Sequence, residues 1–451
     1  MYATLHDTMT ALQQGRLSAV ELTETALAGA TDPAGEGARV FTKVYAEQAR
    51  AAARASDILR AAGLSRSPID GLPISIKDLF DVAGEPTLAG SVALEGAPAA
   101  DESAVVVQRL LAAGAVIIGR TNMVEFAYSG LGINPHYGTP LNPWDRASGR
   151  IPGGSSSGAA VSVTDGMALG AIGSDTGGSV RIPAALCGLA GFKPSAWRVS
   201  MAGVLPLSTS LDSIGPLASS VQCCATLDAI LAGDDMAVEP VWQPATLRGL
   251  RLAIPTTVVM DDLGSDVAAA FSRAISDLSA AGVQIDEIDL PELAQLATIN
   301  AKGGFSAAEA WAWHRELIAQ AGDRYDPRVV SRIRRGEAMS AADYVDLIAA
   351  REAWVAVVDN RIADYDALVM PTLPITAPTI AEVSASDEAY YAINGLILRN
   401  PSVINFLDGC AVSVPCHEAG TAPVGVMIAG SNGTDARILS IGMAIEALLR
   451  R

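Results

Sequence analysis

The sequence predicts an α/β protein built on a largely buried sheet. Segments with helical and strand-like apolar spacing alternate along the chain. Glycine (42) and proline (24) are spread through it instead of collecting in a spacer. With 451 residues, half of them apolar, the chain can bury a large core, and without a linker, repeat or low-complexity tract it reads as one domain spanning 1–451.

Three units carry the alternation. SAVVVQRLLAA at 103–113 reads as a helix capped by Ser103 and ended by Gly114, followed by a buried strand, AVII. Residues 265–281 read as a helix feeding the strand VQIDEIDL, and TDARILSIGMAIEALLR at 434–450 as an amphipathic helix after the strand APVGVMIA. The stretch 303–355 is richer in charge, with Glu309, His314, Arg332, Arg334, Arg335 and Arg351, and reads as a helical lobe laid on the sheet.

A net charge of −18 argues against a nucleic acid gripped through its phosphates, which requires a basic face. The opening MYATLHDTMTALQQGRLSAVELTE carries polar residues where a secretion signal needs an apolar core, and no stretch reaches the roughly 18 apolar residues of a membrane helix. Five cysteines (Cys187, Cys223, Cys224, Cys410, Cys416) show no zinc-type spacing, and their odd number fits reduced core thiols. The expected setting is the cytoplasm and the expected partner a small molecule, with no nucleic acid and no membrane; a homodimer is left open.

Three segments carry chemistry. Lys77, in GLPISIKDLFDV, is one of only four lysines among 31 basic residues, and it ends an apolar strand. Unlike arginine, a lysine can be neutralised by desolvation, falling from about 10.4 toward a value useful to a base; a snorkelling lysine paired with Asp78 is the plainer alternative. The second segment, Gly153-Gly154-Ser155-Ser156-Ser157-Gly158, runs into the small-residue helix AAVSV. A linker is not flanked by core on both sides, and no P-loop lysine follows, so a packed functional loop is the better reading. The third, GSDTGGSVRIP at 173–183, places Ser179 where a glycine-rich turn enters a helix, so that backbone N–H groups and the helix dipole face one spot. An ordinary N-cap serine is the alternative there.

Together these segments resemble the amidase-signature family. GGSSSG, the small-residue helix, and then Asp175, Gly177, Gly178, Ser179, Arg181 and Pro183 follow its pattern, with Ser155 and Ser179 separated by 24 residues. GRTNMVEFAYSG at 119–130, NPHYGTPLNPW at 134–144 and APVGVMIAG extend the resemblance over nearly the whole chain. It implies a large mixed twisted β-sheet covered by helices on both faces, with a catalytic core at about 60–235 and 361–451 and a variable helical lobe at about 290–355. It also implies Ser179 as nucleophile, Ser155 as bridging serine after a cis peptide bond and Lys77 as base. The backbone N–H groups of Thr176, Gly177, Gly178 and Ser179 would form the oxyanion hole, Asp175 and Arg181 would brace the loop as an ion pair, and Ala127 and Tyr128 would line the acyl pocket. No metal and no cofactor is expected.

The implied activity is cleavage of amide-type C–N bonds. Nothing in the three segments supplies a cation beyond Arg181, so the expected substrate is a small neutral amide, anilide or carbamate (urethane), with possible ester cleavage following from the same chemistry. The alternatives are a urea-type acid (allophanate or biuret derivative), for which Arg332, Arg334 or Arg335 must reach the site, and the glutaminase subunit of a tRNA-dependent amidotransferase. A non-enzymatic scaffold or a nucleotide-binding protein fits poorly with three matching catalytic segments.

Overall fold

Eleven strands form one mixed sheet in the computed structural model, which describes residues 4–234 and 242–450. They are β1 (Phe41–Val44), β2 (Pro73–Lys77), β3 (Val116–Thr121), β4 (Gly170–Asp175), β5 (Ala190–Lys193), β6 (Ser213–Ala218), β7 (Arg251–Pro255), β8 (Gln284–Ile288), β9 (Ala367–Pro371), β10 (Cys410–Pro415) and β11 (Gly425–Gly430). Their spatial order is β1-β3-β2-β4-β6-β5-β10-β11-β9-β7-β8. Parallel pairs join β3, β2 and β4 near one end and β9, β7 and β8 at the other, and antiparallel pairs link the centre.

Successive side chains of a strand point to opposite faces. Along β10 and β11, Val412, Val414, Val426 and Ile428 enter one apolar cluster while Ala411, Met427 and Ala429 enter another. Both faces are therefore covered, which explains why the central strands read as continuous apolar runs. The edge strand β8 is half exposed and spans only five of the eight residues of VQIDEIDL.

The helix Val105–Ala112 ends at Gly114, whose φ of +87° suits glycine, and β3 follows it. Ser103 does not cap it. Ala104 precedes the first turn without a side-chain bond, and Ser103 Oγ accepts from the Ala83 N–H instead (2.9 Å), tying the helix entry to a neighbouring loop. Helices Ser265–Ala280 and Asp435–Leu449 lie where the periodicity places them. The charged stretch is helical throughout: Glu292–Ile299, Gly304–Ala321, Pro327–Ile333 and Ala341–Ile362. The core boundary expected near 235 falls outside the described residues. No helix of the described residues is long and apolar enough to cross a membrane. All five cysteines are free, four of them buried and Cys416 partly so.

Candidate active site

Parallel neighbours β2 and β4 end side by side, with Ile76 opposite Ile172, so Lys77 and the Ser174-Asp175 pair leave the sheet at the same edge. The carboxyl ends of parallel strands are where α/β sheets place their sites. Lys77 is fully buried. Its Nζ donates to Ser155 Oγ (2.7 Å) and Ser174 Oγ (2.8 Å) and makes no ion pair with Asp78, which instead binds Arg120 (2.9 Å). Burial lowers the Lys77 pKa to about 7, against the upward pull of Asp212 and Asp175.

Ser155 is also fully buried, and the Gly154–Ser155 peptide bond is cis. Ser156 N–H donates to the Ser179 carbonyl (3.3 Å), which binds the two glycine-rich loops together. The helix after the second loop is Arg181–Cys187, preceded by Val180 with no side-chain cap, so Ser179 is not a capping serine. It lines a cavity of about 650 Å³ instead.

The loop between β4 and that helix is held from beneath. Both carboxylate oxygens of the buried Asp175 accept from Arg181 (2.8 and 3.0 Å), and Oδ1 also accepts from Asn405 Nδ2 (2.8 Å). Burial opposes ionisation of Asp175, but the Arg181 guanidinium outweighs it and holds the carboxyl well below the ordinary range. The Gly178 N–H also donates to Asp175 Oδ1 (2.8 Å). This corrects the expectation of four donors, because the Gly178 N–H is occupied by the bracing carboxylate. Gly177 and Ser179 N–H have no partner among the described residues.

Ala127, Tyr128, Thr176 and Gly177 line the same cavity. Much of the lining is apolar, with Leu207, Leu211, Leu293, Phe305, Leu398 and Phe406. The lining also includes Arg332, Arg335 and Arg399, and among the described residues no Asp or Glu lines the cavity. The absence of a cation inferred from the three segments is thus corrected. The lobe and the helix Asp387–Phe406 supply three, although Arg334 is not among the lining residues. None of the three forms an ion pair among the described residues. The Arg332 guanidinium lies 5.0 Å from the Tyr128 ring, and its Nη2 is buried without a hydrogen-bond partner.

Several site residues carried no usable signal in the sequence. Asp212, just before β6, accepts Thr176 Oγ1 and the N–H groups of Leu207 (2.9 Å) and Ser208 (3.0 Å), and burial raises its pKa to about 6. Phe126 and Ala127, with φ of 50° and 60°, hold left-handed backbone beside the cavity, a strained conformation for residues with a Cβ. Only the string SLDSIGP around Asp212, a lone carboxylate in an apolar segment, offered a hint.

A buried lysine bonded to a serine, beside a second serine at a donor-rich turn, is an arrangement suited to nucleophilic catalysis by a hydroxyl. Comparison with known proteins agrees. The chain belongs to the amidase family, whose model, described as Amidase, matches residues 21–439. It is a hydrolase of carbon–nitrogen bonds. It is 37% identical to 2-amino-5-chloromuconic acid deaminase of Comamonas testosteroni over 89% of this chain and 87% of that one. It is 36% identical to one of the subunits of glutamyl-tRNA(Gln) amidotransferase from Chloroflexus aggregans (99% and 96%). It is 34% identical to the AtzE subunit of 1-carboxybiuret hydrolase from Pseudomonas sp. strain ADP (96% and 96%). Among solved structures, one described as an amidase superposes with a TM-score of 0.87 at 33% identity, covering 99% of this chain and all of that one. The peptide amidase of Stenotrophomonas maltophilia superposes with a TM-score of 0.80 at 26% identity, covering 99% of this chain and 97% of that one.

Proposed function

We propose that the chain is a cytoplasmic amidase acting on a small substrate that bears a carboxylate, through an acyl-enzyme on Ser179. Neutral Lys77 keeps its bond to Ser174 as donor and turns its lone pair to Ser155. Ser155 then accepts the Ser179 proton while passing its own to Lys77, and Ser179 Oγ attacks the carbonyl carbon. The tetrahedral oxyanion is received by the N–H groups of Gly177 and Ser179, with Thr176 alongside. Lys77 returns the proton through the same relay to the departing amine, the C–N bond breaks, and water hydrolyses the ester. Asp175 and Arg181 keep the donor loop rigid, and Ala127 and Tyr128 wall the acyl group.

The observation that carries the substrate class is the cavity lining: among the described residues, three arginines without ion partners and no acid, in a chain of net charge −18. Arg332, with a buried Nη2 lacking a partner, is the anchor best placed for a carboxylate. Two relatives are named for acids, a muconic acid and a carboxybiuret. The apolar part of the cavity lining favours a second reading, a neutral anilide or carbamate, which would make the protein a urethanase.

Steady-state comparison of N-phenylsuccinamic acid with butyranilide, a phenylcarbamate, carboxybiuret and glutamine tests the assignment. The two anilides release the same amine and differ in the carboxylate, so the acid is expected to have the higher kcat/KM. A preference for butyranilide or the carbamate overturns the carboxylate reading, and a preference for glutamine moves the chain to the amidotransferase branch. Ser179→Ala should abolish turnover on all of them; labelling of a different serine by a phosphonate refutes the acyl-enzyme.

A further inference from the structure

Glu125 lies outside the cavity, yet its carboxylate is completely buried and meets polar groups from three separate parts of the chain. Ser91 Oγ donates to Oε1 (2.7 Å), His136 Nε2 lies 2.9 Å from the same oxygen, and the Asp326 N–H donates to Oε2 (2.7 Å). The third contact matters most. Asp326 is the N-cap of the helix Pro327–Ile333, its own side chain accepting from the Arg328 N–H (2.8 Å), and that helix carries Arg332.

On its other side Glu125 opens the turn that presents Ala127 and Tyr128 to the cavity. Phe126, the first left-handed residue of that turn, sits in an aromatic nest of the lobe, 4.4 Å from the His314 ring and 5.0 Å from Tyr325. One carboxylate therefore joins the two elements whose side chains, Tyr128 and Arg332, stack at 5.0 Å. A helix this short has little stability of its own, so its placement depends on such tertiary ties.

We propose that Glu125 is the positioning residue that fixes the Tyr128–Arg332 pair opposite Ser179 and thereby sets the preference for carboxylate-bearing substrates. The proposal rests on the reading of Arg332 as the anchor. Only a carboxylate offers a charged acceptor to the Asp326 N–H and to the Ser91 hydroxyl at once. In Glu125→Gln the amide oxygen can keep the Asp326 N–H while the amide nitrogen turns to Ser91 Oγ and the His136 ring, so the tie from the Asp326 N–H to a carboxylate is replaced by a weaker one to a neutral amide. Loss of a hydrogen bond to a charged group then loosens the helix without removing any group that touches the substrate.

The test measures the ratio of kcat/KM for N-phenylsuccinamic acid to that for butyranilide in the full-length wild type, Glu125→Gln and Arg332→Gln. Glu125→Gln should lower the ratio about tenfold, through KM for the acid more than through kcat. Arg332→Gln should lower it at least as far. Should Glu125→Gln fail to fold, Ser91→Ala, which removes one donor and leaves the Asp326 tie, should lower the ratio in the same direction but less. Equal loss on both substrates, or an unchanged ratio while Arg332→Gln loses its preference, overturns the proposal and leaves the anchor standing. An unchanged ratio in Arg332→Gln overturns the anchor, and the proposal with it.

Discussion

Lys77 and Asp212 show how one residue's environment sets the chemistry of another. Burial takes Lys77 down to about 7, so its neutral form becomes available near physiological pH, whereas the negative charge of Asp212 works in the opposite direction. Because the neutral amine is the acting form, kcat/KM should rise with pH through about 7 and level off above it. Lys77→Arg should be nearly inactive across that range, since a guanidinium keeps its proton. Near-normal turnover by that variant excludes Lys77 as the base. Asp212→Asn removes a carboxylate that favours the ammonium, so the rising limb should move to lower pH. An asparagine can still accept from Leu207 and Ser208 N–H and donate to Thr176, which keeps the loop in place. A limb that stays put or moves upward shows that Asp212 does not set the charge of Lys77.

At the level of elements, the turn Glu125–Ala127 and the helical lobe hold each other. His314 is fully buried in the nest around Phe126, with Nδ1 2.9 Å from Tyr325 Oη, and burial lowers its pKa to about 3. The folded-state value lies below the unfolded value of 6.5, so on acidification the unfolded chain takes up a proton before the folded one. The stability this contributes is complete above 6.5 and is lost progressively toward 3. Between pH 7 and 5 the loss is about 2 kcal/mol. His314→Gln can keep the Tyr325 bond but does not titrate, so urea denaturation at the two pH values should show a smaller acid loss than in the wild type. Equal losses remove His314 from the account. The stretch 303–355 was legible in the sequence as charge-rich and helical. Which of its arginines turn toward Ser179 was not, because a helix of seven residues points its side chains according to what it packs on.

For the whole molecule, a sheet covered on both faces leaves few places for charge, and one group of buried charges, Lys77, Asp175 and Arg181, stands around the ends of β2 and β4. Asp175, Arg181 and Asn405 bring together β4, the helix after it and the helix Asp387–Phe406, more than two hundred residues later. Arg181→Met leaves a buried carboxylate without its cation, which costs about 3–5 kcal/mol. It should also slow turnover, since the same carboxylate holds Gly178 beside the donor turn. Denaturant titration together with kcat checks both, and a variant as stable and as active as the wild type shows that the pair does not brace the loop.

The alternation of periods by itself determined an α/β architecture, because burial on both faces of a sheet writes continuous apolar runs between amphipathic helices. An isolated strand-end lysine and two glycine-rich turns, visible in consecutive residues, marked Lys77, the loop holding Ser155, and Ser179 as candidates, and the resemblance to the amidase-signature family added the roles of Ser155, Asp175 and Arg181. Only the tertiary structure decided which donors of the turn are free, because the Gly178 N–H is taken by a side chain three residues back. It alone gathered Asp212, Glu125, Arg332 and Arg399 around the cavity or behind its wall. These residues come from segments far apart in the chain, and what unites them is burial and electrostatic complementarity, which act through space and leave no spacing to read.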